Sequence, residues 1–394
     1  MAAATDTLSA RQAAEALGVS RATLYAYVSR GLIASEPGEG PSRARHYPRG
    51  PIDALLERRA RARDRGLAAH GSLHWGLPVL DSRLTLIEGG RCHYRGREVV
   101  ALSRSASFEQ VAALLWTGSE AGAGALLPPR RGETPAAGPA AGPPVSAMAA
   151  YLVAAGEGSL ATLGAADGIA WRGAARVVEG LFAAAGARGE GSLAERLARG
   201  WGTERAGELE AALVLSADHE LNVSSFTARC VASADASVEH VVLAALCALR
   251  GRLHGGLTDR VEALVRDAAA EGPARAAERA LEGGGALPGF GHPLYPDGDP
   301  RAAELLRIAG PPDEVIAGLL ALGREQLGEE PTLDFGLAAL ARALGLRPGA
   351  GLGLFALGRS AGWIAHALEA RRDDRLIRPR SRYTGPPPVG SSAA

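Results

Sequence analysis

The chain has 394 residues, enough to bury a sizeable core and to form more than one domain. Its 43 basic and 43 acidic residues balance, which excludes a globally charged polyelectrolyte, and every base is an arginine. Without lysine, Schiff-base chemistry and a Walker phosphate loop are both excluded. An apolar fraction of 47% with 5% aromatics suits a soluble, mostly helical globule. Cys92, Cys230 and Cys247 are too few and too scattered for a disulfide framework or a tetrahedral zinc site. They read as buried thiols of a reducing cytoplasm. No leader-like segment opens the chain, and no run of about 18 uncharged apolar residues appears. The expectation is a cytoplasmic protein with no membrane partner and no metal.

Residues 1–65 read as a separate head. Ser9 is placed to cap a helix ending at Leu17, Gly18 to make a turn, and Ser20 to cap a second helix bearing Thr23, Leu24, Tyr25 and Tyr27. Ala13, Ala14, Leu17, Val19, Leu24 and Val28 would fill the space between them. The following "ARHYPRGPIDALLERR" suggests a strand or wing and a further helix. Residues 1–65 carry a net charge of +4, and a recognition helix with a basic wing contacts phosphates through such cations. Arg21, Thr23, Tyr25 and Arg30 are the candidate DNA contacts, with packing or dimerisation as the equally weighted alternative.

The body opens with "LTLIEGGRCHYRGREVV", an alternating pattern about Gly-Gly that predicts a short β-hairpin. "SFEQVAALLWTG" predicts a helix capped by Ser107, with Phe108, Val111, Leu114 and Leu115 facing inward. Residues 119–145 are rich in Ala, Gly and Pro and read as a surface loop. Helical patterns broken by Gly or Pro continue to a tail, "RYTGPPPVGSSAA", expected to be disordered.

Three histidines stand in unusual company. His219 lies in "ADHELNVSSFTARC", His254 in "GRLHGGLTDRVEALV" and His292 in "ALPGFGHPLYPDGDPR". His254 precedes two glycines and a periodic helix, so the helix dipole would favour a neutral imidazole able to donate to an oxyanion. Arg301, Arg359 and Arg378 occur beside apolar or proline-bearing motifs and suit bidentate capture of carboxylates. Asp334, among apolar neighbours at a helix entry, is either an N-cap or a carboxylate base.

Taken together, "HELNVSSFTAR", "LHGG", "GFGHPLYPDGDPR", "TLDF", "GRSAGWIAHALE" and "IRPR" resemble the citrate synthase family in its short bacterial form. The head resembles the helix-turn-helix of MerR/excisionase type, a combination similar to a subgroup of that family. The resemblance implies an all-α fold with a large domain over 66–250 and 340–394 and a small domain over 251–339. It implies condensation of acetyl-CoA, as co-substrate, with oxaloacetate, with no permanently bound cofactor. In that scheme Asp334 is the base, His254 stabilises the enol oxygen and His292 polarises the ketone. His219, Arg301 and Arg359 bind oxaloacetate, and Arg378 reaches in from the partner of a homodimer. Leu287, Gly289, Phe290 and Gly291 would approach CoA.

The chain departs from the family pattern at several places. Leu257-Thr258 follow His254-Gly-Gly where many relatives have Ala-Asn, Arg252 replaces a proline, and Pro296 stands where relatives carry a base. Alternatives are 2-methylcitrate synthase acting on propionyl-CoA, a DNA-binding regulator with a metabolite-sensing body, and a chain that works beside a second synthase-like subunit.

Overall fold

The structure, a computed structural model, describes residues 7–29, 33–37, 45–53, 55–56, 80–129, 142–159, 167–282, 286–373, 375–381 and 383–386. By contacts the chain divides into one unit of 1–81 with 380–394 and another of 82–379. Arg30, His70, His74 and part of the 119–145 segment lie outside the described residues, as does most of the tail.

In the first unit, β1 (Thr7–Ser9) leads into α1 (Ala10–Leu17), followed by α2 (Arg21–Ser29), β2 (Glu36–Pro37) and β3 (Arg45–Pro48). Ser9 and Gln12 form a reciprocal capping box, and Gly18 ends α1 in the left-handed conformation at φ 62°. Thr23 donates its backbone N–H to Ser20 Oγ at 3.2 Å, so both sequence-assigned caps are present. The strands pair antiparallel in the order β1-β3-β2. The core holds Ala13, Ala14, Leu17 and Leu24 as expected, but Val19 and Val28 only flank it. Ile33, Tyr47 and Ile52 complete it, which brings the wing strand into the packing.

The second unit opens with β4 (Thr85–Glu88), β5 (Arg91–Tyr94) and β6 (Arg97–Glu98). Gly89 and Gly90 both have positive φ, 57° and 72°, as a two-residue hairpin turn requires. A second turn at Arg95-Gly96 adds β6, so the expected hairpin is a three-stranded meander. Helices α3 (Val99–Ser105) and α4 (Phe108–Thr117) follow, α4 capped by Ser107. The 119–145 segment is not uniformly loop: Ala123–Leu126 forms a helical turn, α5, and Pro144 begins α6 (Pro144–Gly156). The chain continues through α7 (Asp167–Ala184), α8 (Leu193–Trp201), α9 (Ala206–Ser216), α10 (Val223–Ser233) and α11 (Val238–Leu249). It ends with α12 (Gly256–Glu271), α13 (Pro273–Glu282), α14 (Pro300–Ala309), α15 (Glu314–Ala321), α16 (Leu333–Ala343) and α17 (Ala350–Arg372).

This unit packs around two apolar cores. The larger gathers α3–α11 and α17, while the smaller is built from α12, α13, α15 and part of α16. Helix α16 serves both. Leu333, Leu337 and Leu340 enter the large core, whereas Phe335, Ala338 and Ala339 enter the small one. Two faces at helical spacing therefore meet at its N-terminus, and Asp334 sits at that seam. The His254 loop occupies the equivalent place between α11, in the large core, and α12, in the small one. Burial thus delivers both residues to one seam.

No described helix is long and apolar enough to cross a membrane. Among the cysteines only Cys92 is buried; Cys230 is half-buried and Cys247 exposed, against the expectation of three buried thiols. These positions lie on α10 and α11, where helical phase rather than residue type decides which side faces water.

Candidate active site

His219 follows α9 in a short loop held by Asp218. The Asp218 carboxylate is fully buried, accepts from Thr85 and lies 3.3 Å from His366 Nε2. Its backbone N–H donates to Tyr94 Oη at 3.0 Å, tying the loop to the meander. His219 Nε2 is 2.9 Å from Tyr295 Oη, and its ring stands edge-on to His292 at 5.4 Å. Burial, followed by Arg301 and Arg359, holds His219 well below the ordinary histidine range. It is a neutral ring.

His292 is fixed by its own loop. The Leu294 N–H donates to His292 Nδ1 at 3.1 Å, which places the proton of the neutral imidazole on Nε2. Burial first, and then Arg301, push its pKa down to about 4. Tyr295, which sequence reasoning did not single out, is the hub of this cluster. Besides meeting His219 it lies 5.1 Å from the His292 ring, with the Arg301 guanidinium 5.3 Å from its centroid. The only sequence signal was an aromatic between His292 and the Pro-Asp-Gly-Asp run of a Gly/Pro loop.

His254 lies in the turn before α12, and its Nε2 is 2.8 Å from Ser224 Oγ. Trp363 donates to the same oxygen at 3.0 Å, and Asn222 Oδ1 is 2.8 Å from it. The single hydroxyl proton of Ser224 has two acceptors within reach; donation to His254 leaves Nδ1–H free to face a developing oxyanion. Burial pushes His254 down to about 3, with Arg359 as the second cause. Desolvation therefore acts in the same direction as the start of α12, and both favour the neutral ring.

Asp334 is the second residue of α16, after an N-cap position at Thr332. It is not the cap. Thr258 donates to Asp334 Oδ1 at 2.6 Å across the seam. Burial raises Asp334 to about 6, held back by the Thr258 hydrogen bond and by Arg301. A carboxylate with this pKa is ionised at neutral pH and basic enough to take a proton.

Arg301 and Arg359 are both almost completely buried. Arg301 grips Asp299 through Nε at 3.0 Å and Nη2 at 2.7 Å, which leaves buried Nη1 without a partner. Asp299 also caps α14 and accepts from the Leu333 N–H at 3.2 Å, linking this pair to the Asp334 helix. Arg359 donates through Nε to the Ser216 carbonyl at 2.8 Å and packs 4.8 Å from the Phe355 centroid. Among the described residues no carboxylate lies within ion-pairing distance of it. Its pKa is lowered by burial, with Asp218 only partly offsetting this. A desolvated guanidinium beside a half-paired one is a receptor for an anion.

Two further groups complete the sequence-assigned residues. Arg378 is exposed after α17, in a segment with neither helix nor strand, and is not part of this cluster. Leu287 and Phe290 are buried in the small core, Phe290 against Phe335 at 4.9 Å. Gly289 and Gly291 adopt positive φ, 87° and 71°, where a side chain is strained. Among the described residues no cluster of three or more His, Cys, Asp or Glu could hold a metal ion.

The profile "Citrate synthase, C-terminal domain" matches residues 166–380, more than half of the chain. The chain belongs to the citrate synthase family. A helix-turn-helix domain profile matches residues 7–60. The citrate synthase of Haloferax volcanii is 38% identical over 189 residues, covering 44% of this chain and 49% of that protein. A 2-methylcitrate synthase of Shewanella oneidensis is 35% identical over 190 residues, covering 46% and 51%. The chain spans about half the length of such curated relatives. In fold it resembles the citrate synthase of Thermoplasma acidophilum in ternary complex with carboxymethyl coenzyme A and oxaloacetate. That match has a TM-score of 0.66 at 24% identity, over 80% of this chain and 96% of that one. The Thermotoga maritima citrate synthase gives 0.60 at 23%, over 81% and 96%. The all-α citrate synthase fold expected from the motifs is the fold observed.

Proposed function

We propose that the body is a citrate synthase-type acyltransferase, condensing acetyl-CoA with oxaloacetate and water to give citrate and free CoA. The carrying observation is a near-neutral carboxyl, Asp334, set with two neutral imidazoles beside the underpaired guanidiniums of Arg301 and Arg359. A dicarboxylate calls for the guanidiniums; a weak carbon acid calls for a base and an oxyanion donor.

In this reading Arg301, Arg359 and His219 hold oxaloacetate. Asp334 removes a proton from the acetyl methyl group while His254 Nδ1–H stabilises the enol oxygen. The new carbon–carbon bond forms between that methyl carbon and the ketone carbon, and His292 Nε2–H delivers its proton to the ketone oxygen. Water then adds to the thioester carbonyl of citryl-CoA, the carbon–sulfur bond breaks and CoA leaves as the thiol. Asp334→Ala is expected to abolish turnover while leaving oxaloacetate binding largely intact. Absence of turnover by the unaltered protein with any acyl-CoA would overturn the reading.

Acetyl-CoA and propionyl-CoA differ by one methylene, worth about 1–3 kcal/mol in an acyl pocket. CoA thiol release measured with each in turn assigns the substrate, and a clear preference for propionyl-CoA would make this a 2-methylcitrate synthase.

The chain also reads as a homodimer, since Arg378 is exposed at the end of the body and available to a partner's site. Sizing and mixing of Arg378→Ala with an Asp334→Ala variant test this: restored turnover in the mixture supports sharing.

The head reads as a DNA-contacting module. Tyr25 is 52% exposed and Arg21 is exposed on the same helix, while Thr23 is engaged with Ser20 at 2.9 Å. A salt-dependent shift of duplex DNA, lost in Arg21→Ala or Arg30→Ala, supports that role. Unchanged binding in both variants would remove it.

A further inference from the structure

The assignment of Asp334 as a base leaves open which of its two oxygens takes the proton. We propose that Thr258 is a positioning residue that reserves Oδ2 of Asp334 as the proton-accepting atom, an inference that rests on the enolisation reading above. Thr258 is fully buried in the first turn of α12, and its hydroxyl donates to Asp334 Oδ1 at 2.6 Å. A hydroxyl that donates to Oδ1 needs that oxygen bare of a proton, so a proton gained by Asp334 goes to Oδ2. The hydroxyl also opposes what burial does to the carboxyl, because a donor to the charged form favours it.

The geometry makes Thr258 the adjustable partner. The charged groups acting on Asp334 are Arg301 and Asp299, which favour and disfavour the carboxylate respectively and are locked to each other. His254, on the loop before α12, is held neutral and adds no charge. The short side chain of Thr258 reaches Asp334 because the first turns of α12 and α16 meet at the seam. Four residues on, Glu262 accepts the backbone N–H groups of Gly349 and Gly351 at 2.7 and 2.9 Å. One face of α12 thereby holds the starts of both α16 and α17, which fixes the Thr258 backbone and leaves the hydroxyl as the variable.

Thr258→Val keeps the shape and removes the donor. A hydrogen bond to a carboxylate corresponds to a shift of about one to two pH units. The acidic limb of kcat is expected to rise by that amount in Thr258→Val, with kcat at pH 7 falling about twofold to tenfold and recovering as the pH rises. Thr258→Ser restores the original profile, and KM for oxaloacetate stays within about twofold because Thr258 does not touch the arginines. The titration of Asp334 is followed in the same proteins by carboxyl 13C NMR, which does not need turnover. If Thr258→Val does not fold, Thr258→Ala is read in the same way. An unmoved profile and an unmoved Asp334 titration in a folded donor-less variant overturn the proposal. Lack of turnover by the unaltered protein overturns the enolisation reading instead, and the NMR titration still reports on the hydrogen bond.

Discussion

The hydroxyl of Tyr295 lies 2.9 Å from His219 Nε2, so a residue of the His292 loop sets the orientation of a histidine 76 positions earlier. Tyr295 stays protonated, since burial raises its pKa well beyond the ordinary phenol range. The pair joins the loop that presents His292 to the loop that precedes α10.

Tyr295→Phe removes this hydrogen bond and retains the ring against Arg301 and His292. KM for oxaloacetate is expected to rise about twofold to tenfold, the size of one neutral hydrogen bond, while kcat changes less. Steady-state kinetics checks the split. A fall confined to kcat would place Tyr295 in the chemical step.

Arg359 is a buried cation with no carboxylate within ion-pairing distance among the described residues. Arg359→Met, an apolar replacement of similar length, should stabilise the empty protein by about 1–3 kcal/mol while abolishing oxaloacetate binding. Thermal melting reads both effects. Oxaloacetate should raise the melting temperature of the unaltered protein and leave that of the variant unchanged. A destabilised variant would show that the Ser216 hydrogen bond outweighs desolvation.

The site's titrations act on stability in opposite senses. His254 and His292 have folded pKa values lowered to about 3 and about 4, so from about pH 6.5 downward the unfolded chain binds more protons and stability falls. Asp334 is raised to about 6, so between about pH 4 and 6 the folded chain binds its proton more readily and offsets part of that loss. Urea titrations at pH 7.5 and pH 5 should show a net decrease, and His254→Asn should remove part of it. Activity, by contrast, should fall below about pH 6 as Asp334 protonates.

Gly289 has φ 87°, and a Cβ there would meet Val261 Cγ2 at 2.8 Å and Phe335 Cβ at 3.1 Å. Gly289→Ala should cost about 2–4 kcal/mol from the combined strain and overpacking, measured by chemical denaturation. Because the small core carries α12 and α16, turnover should fall with it. The glycine is required by internal packing, a role separate from the approach to CoA that the sequence suggested.

The residue pattern by itself determined a good deal. It contained the caps of the head, the Gly-Gly turn of the meander and the helical body, and it singled out His219, His254, His292, Asp334, Arg301 and Arg359 as candidates. Each of these is a local signal: a cap, a turn or a polar residue set in an apolar run. What remained illegible depends on which distant segments share a surface. Tyr295, Ser224, Thr258 and Asp299 take their roles from partners brought together by two cores meeting along α16. The same contacts decide that His254 is desolvated, that Asp334 is not a cap and that Arg359 has no carboxylate within ion-pairing distance among the described residues. Spacing along the chain names the chemical groups, but burial and hydrogen bonding across the seam fix which proton each of them carries.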